Sequence, residues 1–296
     1  MIDSILSAKK INEADVVMVG AGYEKTVSGR KGTVNGPKAI INILDSKLDL
    51  FNRTYKMQPC DKIKIGHKDL GNISELTPEK ALKKITIECE KLINKGKFVF
   101  LLGGEHSVSL GLFQALANKV NPKDVTILQI DAHCDLRDND SDYNENPSNL
   151  AHSCVLRRAH ELGYNLVQVG IRTYYKSEYK YFNKHKNTIK VFEWGNNEKV
   201  PTINEILKFI KTKYVYITID VDGFDPSFMP GTSTAVQGGL EWWYGVELIE
   251  RIIDKKELIG ADIVEVSPLR DSILTEYGAA QLAYTIIAHK FRNKLK

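Results

Sequence analysis

The sequence lacks a hydrophobic run long enough to cross a membrane. Its longest apolar stretches are about six residues, whereas a membrane-spanning helix needs roughly 20. The opening residues Met1-Ile2-Asp3-Ser4 also lack the basic segment and apolar core of a secretion signal. These absences argue against a membrane protein and predict a cytoplasmic location.

The sequence also has few cysteines and only a small excess of positive charge. The four cysteines, Cys60, Cys89, Cys134 and Cys154, form no CxxC pair and have no framework spacing, so we expect reduced thiols. The 41 Lys and Arg residues against 37 Asp and Glu leave a formal charge of +4, without a block of five like charges. This balance is too weak for a nucleic-acid or anionic-membrane surface, so neither partner is expected.

No Pro/Gly/Ser-rich linker and no long repeat divides the chain. Its composition, 43% apolar and 26% charged, is typical of a globular protein. A chain of 296 residues can bury a large core without disulfides or a structural metal. We therefore expect residues 1–296 to form one domain, in which any metal is catalytic.

Short apolar, β-branched runs alternate along the chain with longer amphipathic runs. The strand candidates are 16–20, 97–103, 125–130, 166–171, 214–219 and 261–266, with weaker ones near 62–65 and 189–192. The helical patterns are 36–45, 78–95, 107–118, 151–162, 202–211, 241–255 and 276–293. This alternation predicts an α/β fold: a doubly wound, mainly parallel sheet with helices on both faces. Ligands bind such sheets at the carboxyl ends of the strands.

One strand candidate, 125–130, runs directly into Asp131-Ala132-His133-Cys134-Asp135. In an extended backbone, the side chains of Asp131, His133 and Asp135 point the same way, while Cys134 faces the packing side. We therefore expect the first three to converge and Cys134 not to be a ligand.

Two other strand candidates also end in chemistry-bearing residues. Asp220 and Asp222 follow 214–219 with the apolar Val221 between them, and His106 follows the Gly103-Gly104 pair. The glycines allow a tight turn and a close backbone approach. Asp225, at an odd spacing, is interpreted as a turn residue.

Four carboxylates and two imidazoles at one sheet edge need a cation, because like charges raise each other's pKa. Six ligands suit two metal ions about 3.5–4 Å apart. Oxygen-rich ligation without thiolate favours a hard divalent ion such as manganese. A lone Asp-x-His-x-Asp also fits a helix cap beside a surface histidine, but three such strand ends favour the metal interpretation.

These motifs resemble those of the ureohydrolase family, which contains arginase, agmatinase, guanidinobutyrase and formimidoylglutamase. The resemblance spans almost the whole chain, at 29–37, 103–107, 131–135, 218–234, 238–240 and 264–268. It implies the arginase-like three-layer α/β/α fold and a homo-oligomer built from trimers, as a trimer or a hexamer. It also implies two Mn(II) ions per subunit, with His106 and Asp135 on the first, His133 and Asp222 on the second, and Asp131 and Asp220 bridging them.

The resemblance also implies the reaction, which is hydrolysis of a guanidinium group to urea and an amine by hydroxide formed at the metal ions. Asp135 is expected to orient the hydroxide and relay its proton, and Glu265 to hold the guanidinium nitrogens. His152 resembles the family's proton-shuttling histidine; the alternative is a solvated histidine at a helix start. The other histidines, His67, His160, His185 and His289, match no family motif and are interpreted as structural or surface residues.

The small cationic guanidino substrate is expected to be agmatine, giving putrescine for polyamine biosynthesis. The run from His152 to Ala159 looks like agmatinases, and Leu150 stands where arginases carry an Asn that binds the substrate carboxylate. However, Ala235-Val236-Gln237 replaces a Pro-Glu-Pro common in agmatinases. Guanidinobutyrate and arginine stay open as substrates. A dinuclear phosphoesterase and a catalytically silent homologue are the alternatives from other classes.

Overall fold

The computed structural model of the protein describes residues 4–195 and 199–295. Residues 1–3, 196–198 and 296 lie outside these ranges, and with them most of the segment Met1–Ser4 used above to argue against a secretion signal. Within the described ranges, no helix is both long and apolar enough to span a bilayer.

A single sheet of eight parallel strands runs through the described chain, in the order β2-β1-β3-β8-β7-β4-β5-β6. The strands are β1 Val16–Gly22, β2 Ile65–Asn72, β3 Phe98–Gly103, β4 Val125–Ile130, β5 Asn165–Ile171, β6 Ile189–Glu193, β7 Tyr214–Asp220 and β8 Glu257–Val264. The helices are α1 Gly36–Ser46, α2 Pro78–Ile93, α3 Ser109–Ala117, α4 Val155–Glu161, α5 Lys176–Lys184, α6 Ile203–Leu207, α7 Trp242–Lys255 and α8 Leu274–Lys290. The predicted doubly wound α/β fold is confirmed.

Alternate residues of each strand pack on opposite faces of the sheet. On β1, Val16 and Met18 belong to one core with α1, α7 and α8, whereas Val17 and Val19 belong to the other core, with α2 and α3. Because both faces are covered by helices, every residue of β1 is buried. This explains why the inner strands appear in the sequence as largely apolar runs, whereas the edge strands β2 and β6 carry more polar residues.

The elements differ from the sequence prediction at several places. The edge strand predicted near 62–65 spans Ile65–Asn72, and the helix predicted over 151–162 starts as a 3₁₀ turn before α4 begins at Val155. The final strand is longer than predicted, starting at Glu257, and it ends at Val264, which leaves Glu265 just outside it. The helix predicted over 202–211 ends at Leu207, after which the amides of Phe209 and Ile210 bond three residues back. Helix α5 was not predicted, because its sequence is mostly polar and buries only Glu178 and Phe182.

Four neighbouring strands carry the residues singled out at strand ends. In the sheet order, β3, β8, β7 and β4 are adjacent, and all four run in the same direction. Their carboxyl ends therefore meet at one edge, which brings together residues far apart in the sequence.

Candidate active site

His106 is positioned by a tight turn after β3. The amides of Gly104 and Glu105 bond to the carbonyls of Ala21 and Tyr23, and a Cβ on Gly104 would overlap the Tyr23 carbonyl oxygen. The predicted close backbone approach is therefore present. The His106 side chain is completely buried, and its Nε2 lies 2.9 Å from the Thr218 hydroxyl. This contact leaves Nδ1 facing the acidic residues of the neighbouring strands.

The segment after β4 converges on the same point, but not through an extended backbone. Asp135 has a φ of 53°, in the left-handed region that non-glycine residues rarely adopt. Its carbonyl accepts hydrogen bonds from the amides of Leu156 and Arg157 at the start of α4, both at 3.1 Å. The alternation predicted over 131–135 therefore stops before Asp135, which reaches the site through this kink.

The segment after β7 also leaves the extended conformation. A 3₁₀ turn over Val221–Gly223 follows Asp220, whose Oδ1 accepts the Asp222 amide at 2.9 Å. Asp222 Oδ1 accepts the amide of Ala132 at 3.0 Å, which ties this turn to the segment after β4. Both carboxylates are buried and keep one oxygen each directed at a histidine.

Two clusters of ligand atoms share Asp131. His106 Nδ1 lies 3.0 Å from Asp135 Oδ2, 3.2 Å from Asp131 Oδ2 and 3.6 Å from Asp220 Oδ2. His133 Nδ1 lies 3.1 Å from Asp222 Oδ2 and 3.5 Å from Asp131 Oδ1. Asp131 therefore faces the two histidines with different oxygens. In each of the clusters His106-Asp131-Asp135 and Asp131-His133-Asp222, the ligand atoms lie within 4.8 Å of one another, close enough to hold a metal ion.

The electrostatics of the cluster call for a cation. Burial, together with repulsion by Asp222 and Asp131, raises the pKa of Asp220 well above its usual value. Burial and repulsion by Asp131 raise the pKa of Asp135 to about 7. Burial alone would lower the pKa of His106, but the adjacent carboxylates of Asp131 and Asp135 raise it far above the usual range. His106 Nδ1 is buried without a hydrogen-bond partner among the described residues, so the donor set fits a divalent metal ion.

Glu265 sits beside the ligands in a second strained conformation, with a φ of 63°. Its Oε1 accepts the His106 amide at 2.8 Å. Its Oε2 is buried and has no hydrogen-bond partner within the described ranges. Burial, followed by repulsion from Glu105, raises the pKa of Glu265 well above its usual value. A cationic donor reaching this oxygen would satisfy it and restore its charged form.

His152 begins a 3₁₀ turn that leads into α4, and it lines the same cavity as Glu265. Burial, and then the positive charges of His133 and His106, lower the pKa of His152 to about 4. The Tyr143 ring packs against the imidazole, with ring centroids 5.9 Å apart. His152 is therefore a partly buried cavity residue, not a solvated one.

The cavity above the ligands has a volume of about 80 Å³ and opens to solvent. Three tyrosines and two charged residues line its outer part: Tyr143, Tyr174, Tyr175, Arg137 and Glu178. The guanidinium carbon of Arg137 lies 3.8 Å from the Tyr175 ring centroid and 5.3 Å from that of Tyr143. Arg137 also pairs with Asp142 and lies 3.9 Å from Glu178.

The other residues considered from the sequence lie away from the ligands. Cys134 is buried in the core beneath β4, and Asp225 caps a turn by accepting the amides of Ser227 and Gly238. The remaining histidines make structural contacts or lie in other parts of the fold: His67 is on β2, His160 bonds Tyr181 and Thr188, His185 stacks near Tyr181, and His289 bonds Tyr55 and Asp254.

Several supporting residues were not predicted. Gln129 donates to Asp131 Oδ2 at 2.6 Å and to the carbonyl of His133, and Gln168 donates to the carbonyl of Cys134. Next to His106, the Thr218 hydroxyl donates to Asp262 at 2.6 Å. Each of these is a polar residue inside an otherwise apolar strand, and that pattern was the available signal.

A parallel α/β sheet with paired His/Asp clusters at its central strand ends belongs to a protein of the metal-binding α/β class. The family model described as "Arginase family" matches residues 14–289. The N(1)-aminopropylagmatine ureohydrolase of Synechocystis is 34% identical over 285 residues, covering 94% of this chain and 89% of that protein. The agmatinase of Bacillus subtilis is 32% identical over 274 residues, covering 90% of this chain and 88% of that protein.

Solved structures agree with these relatives. The agmatine ureohydrolase of Thermoplasma volcanium superposes with a TM-score of 0.82 at 29% identity, covering 97% of this chain and 93% of that one. This chain belongs to the arginase family. It is a hydrolase of the ureohydrolase type, and its His/Asp cluster is suited to the metal on which that family depends.

Proposed function

We propose that this protein hydrolyses agmatine to putrescine and urea, using two Mn(II) ions per subunit. The observation that carries the proposal is the Oε2 of Glu265, which is buried without a hydrogen-bond partner among the described residues, in the cavity that Asp135 and Asp220 also line. A planar cation with several N–H donors satisfies such an oxygen, whereas a phosphate ester would be repelled by it. This argues against a phosphoesterase.

The ligand assignment follows the two clusters. His106 and Asp135 would hold one ion and His133 and Asp222 the other. Asp131 would bridge them, as its two separately directed oxygens support, and Asp220 is proposed as the second bridge. Such ions, when bound, lower the pKa of water toward about 7 and so supply a nucleophile at neutral pH.

Residues around the ions would hold the substrate and move its protons. Glu265 would accept hydrogen bonds from the guanidinium nitrogens and keep the central carbon over the cluster. Asp135 would accept a hydrogen bond from the attacking water, orient it and relay its proton. Its kinked backbone directs one carboxylate oxygen toward His106.

His152 would deliver the proton that the departing amine needs. It lines the cavity together with Glu265 and Asp135, and it is neither in a ligand cluster nor freely solvated. The imidazolium of a histidine is a stronger acid than an alkylammonium ion, so proton transfer from His152 to the departing amine is downhill.

The outer cavity favours a substrate without a carboxylate. Among the described residues, Arg137 is the one Lys or Arg that lines the cavity. It is already paired with Asp142 and stacked on Tyr175. Leu150 lies in a separate surface groove with Leu82. The charge of Arg137 is thus already compensated by Asp142, and Leu150 offers no donor to the carboxylate of arginine or guanidinobutyrate, while the tyrosines suit a cationic amine.

N(1)-aminopropylagmatine is the second candidate substrate. The cavity opens past Tyr175, whose side chain is about half exposed, so a longer amine chain has a path to solvent. The Synechocystis relative carries this substrate in its name.

We further propose that residues 1–296 act as one domain in a homo-oligomer built from trimers, and that the enzyme works in the cytoplasm. The single sheet, to which segments from residue 16 to residue 264 contribute, supports the first point. Cys89, Cys134 and Cys154 are buried free thiols, as expected of a reducing compartment.

A urea-release assay tests the proposal. The purified protein, with its metal content measured, would be assayed with Mn(II) on agmatine, N(1)-aminopropylagmatine, arginine and 4-guanidinobutyrate. We expect the highest kcat/KM on agmatine and two ions per chain. A higher kcat/KM on arginine or 4-guanidinobutyrate would contradict the argument from Arg137. If none of the four substrates released urea, the proposed function would be wrong.

A further inference from the structure

A hydroxyl and a buried carboxylate lie behind His152, on the side away from the cavity. Thr26 Oγ1 lies 3.4 Å from His152 Nδ1. Glu105 is completely buried and accepts the Thr26 hydroxyl at 2.6 Å. From these contacts we propose that Glu105, acting through Thr26, positions His152 by fixing its tautomer and ring orientation. The proposal rests on the function given to His152 above.

The hydrogen bonds of Glu105 determine which atom donates and which accepts along the series Glu105, Thr26 and His152. Its Oε1 accepts the hydroxyls of Thr26 and Ser107, both at 2.6 Å. Its Oε2 accepts the amides of Lys25 and Thr26, both at 2.7 Å. Four donors occupy the two oxygens, so this carboxylate acts purely as an acceptor. The single proton of the Thr26 hydroxyl is therefore committed to Glu105.

The Thr26 oxygen then has only lone pairs left for His152. One accepts the His152 amide at 3.0 Å, and the other faces Nδ1. Nδ1 must therefore carry a proton, which leaves Nε2 as the nitrogen that exchanges protons in the cavity. The Tyr143 ring restricts the opposite side, and its hydroxyl is held 2.8 Å from Ser153 Oγ.

The arrangement has a consequence for turnover. When Nε2 gains a proton, the ring becomes a cation whose Nδ1–H points through Thr26 at the charge of Glu105. That interaction stabilises the proton-donating form, as an acidic partner does for a catalytic imidazole. Thr26 does not line the cavity, so its hydroxyl affects proton transfer and not substrate contact.

Kinetics of three threonine variants test the role. Thr26→Val is expected to lower kcat by about 10- to 100-fold, the effect of losing a hydrogen bond to a charged group, with KM and metal content unchanged. Thr26→Ser keeps the hydroxyl and should lose much less. The matched control is Thr126→Val, a buried threonine at the far end of β4 whose hydroxyl lies 2.7 Å from that of Thr212. It should leave kcat within about twofold.

A double-mutant cycle separates positioning from simple structural support. In a His152→Ala background, Thr26→Val should cause no further loss of kcat, because its effect passes through the imidazole. A full additional loss in that background would overturn the proposal, as would a Thr26→Val enzyme with normal kcat.

The tautomer can also be read without turnover. The full-length protein, labelled with ¹⁵N-histidine and loaded with diamagnetic Zn²⁺, gives imidazole signals, and His152 is assigned by its loss in His152→Ala. A proton on Nδ1 supports the proposal, and a proton on Nε2 alone overturns it. Wild-type protein that has the Nδ1 proton but releases no urea would refute the proposed function and leave the positioning intact.

Discussion

Removing the hydroxyl of Thr218 should weaken metal binding although Thr218 is not a ligand. Its proton goes to Asp262, so its oxygen accepts from His106 Nε2 at 2.9 Å and leaves Nδ1 free for an ion. The Tyr216 hydroxyl donates to the other Asp262 oxygen at 2.6 Å, and all four residues are completely buried. In Thr218→Val, Nε2–H of His106 loses its acceptor, while the carboxylates of Asp131 and Asp135 still favour a proton on Nδ1, the nitrogen that an ion needs.

The size of the effect follows from losing this partner. Outer hydrogen bonds to ligating histidines typically contribute about 10- to 100-fold in metal affinity, and that range is expected here. The buried Asp262 oxygen also loses a donor, which lowers the free energy of unfolding of the metal-free protein by about 1–3 kcal/mol.

Competition with a fluorescent chelator would measure the affinity, and denaturant unfolding of the metal-free protein would measure the stability. Thr126→Val serves again as the control, because it removes a buried hydroxyl far from the ligands. Unchanged metal affinity in a folded Thr218→Val protein would refute the reasoning about the tautomer.

Three further predictions concern the site and its turn. Asp131→Asn should lower the metal content, measured by elemental analysis, more than His106→Asn does, because Asp131 faces both histidines. If His106→Asn lost as much metal or more, Asp131 would not be a bridging ligand. His152→Ala should lower kcat about 10²–10⁴-fold with both metals retained, and loss of metal would show that it is a ligand. Gly104→Ala should destabilise the protein by more than 1 kcal/mol in denaturant unfolding, because its Cβ meets the Tyr23 carbonyl, and a neutral result would mean that the turn can shift.

The sheet could be predicted from the sequence because parallel strands covered on both faces are continuous apolar runs. The run at 125–130 coincides with β4, since it is bounded by polar residues on both sides. The order of strands could not be predicted, because it depends on which crossover packs where. Helix α5 escaped prediction because it has little apolar surface to bury.

The ligand candidates were predictable, but the local backbone that presents them was not. Asp131 and His133 could be found from spacing, whereas Asp135 depends on a left-handed residue that no spacing rule allows for. Thr26 lies 126 residues from His152, and only the fold shows that they touch. Glu105 lies within residues 103–107, one of the segments that resemble the ureohydrolase family, yet nothing in the sequence shows that its side chain turns away from the ligands.

The position of β8 in the sheet has a consequence for how the protein matures. Strands β1 to β3 occupy one side and β4 to β7 the other, and β8, the last strand along the chain, pairs with β3 and β7 between them. His106 comes from the first half, while Asp131 and Asp220 come from the second. During synthesis from the amino end, the two halves therefore have no strand pairing to each other until residues 257–264 have left the ribosome. The strand pairing that aligns His106 with Asp131 and Asp220 is thus completed late in synthesis, and a chain interrupted before β8 lacks it.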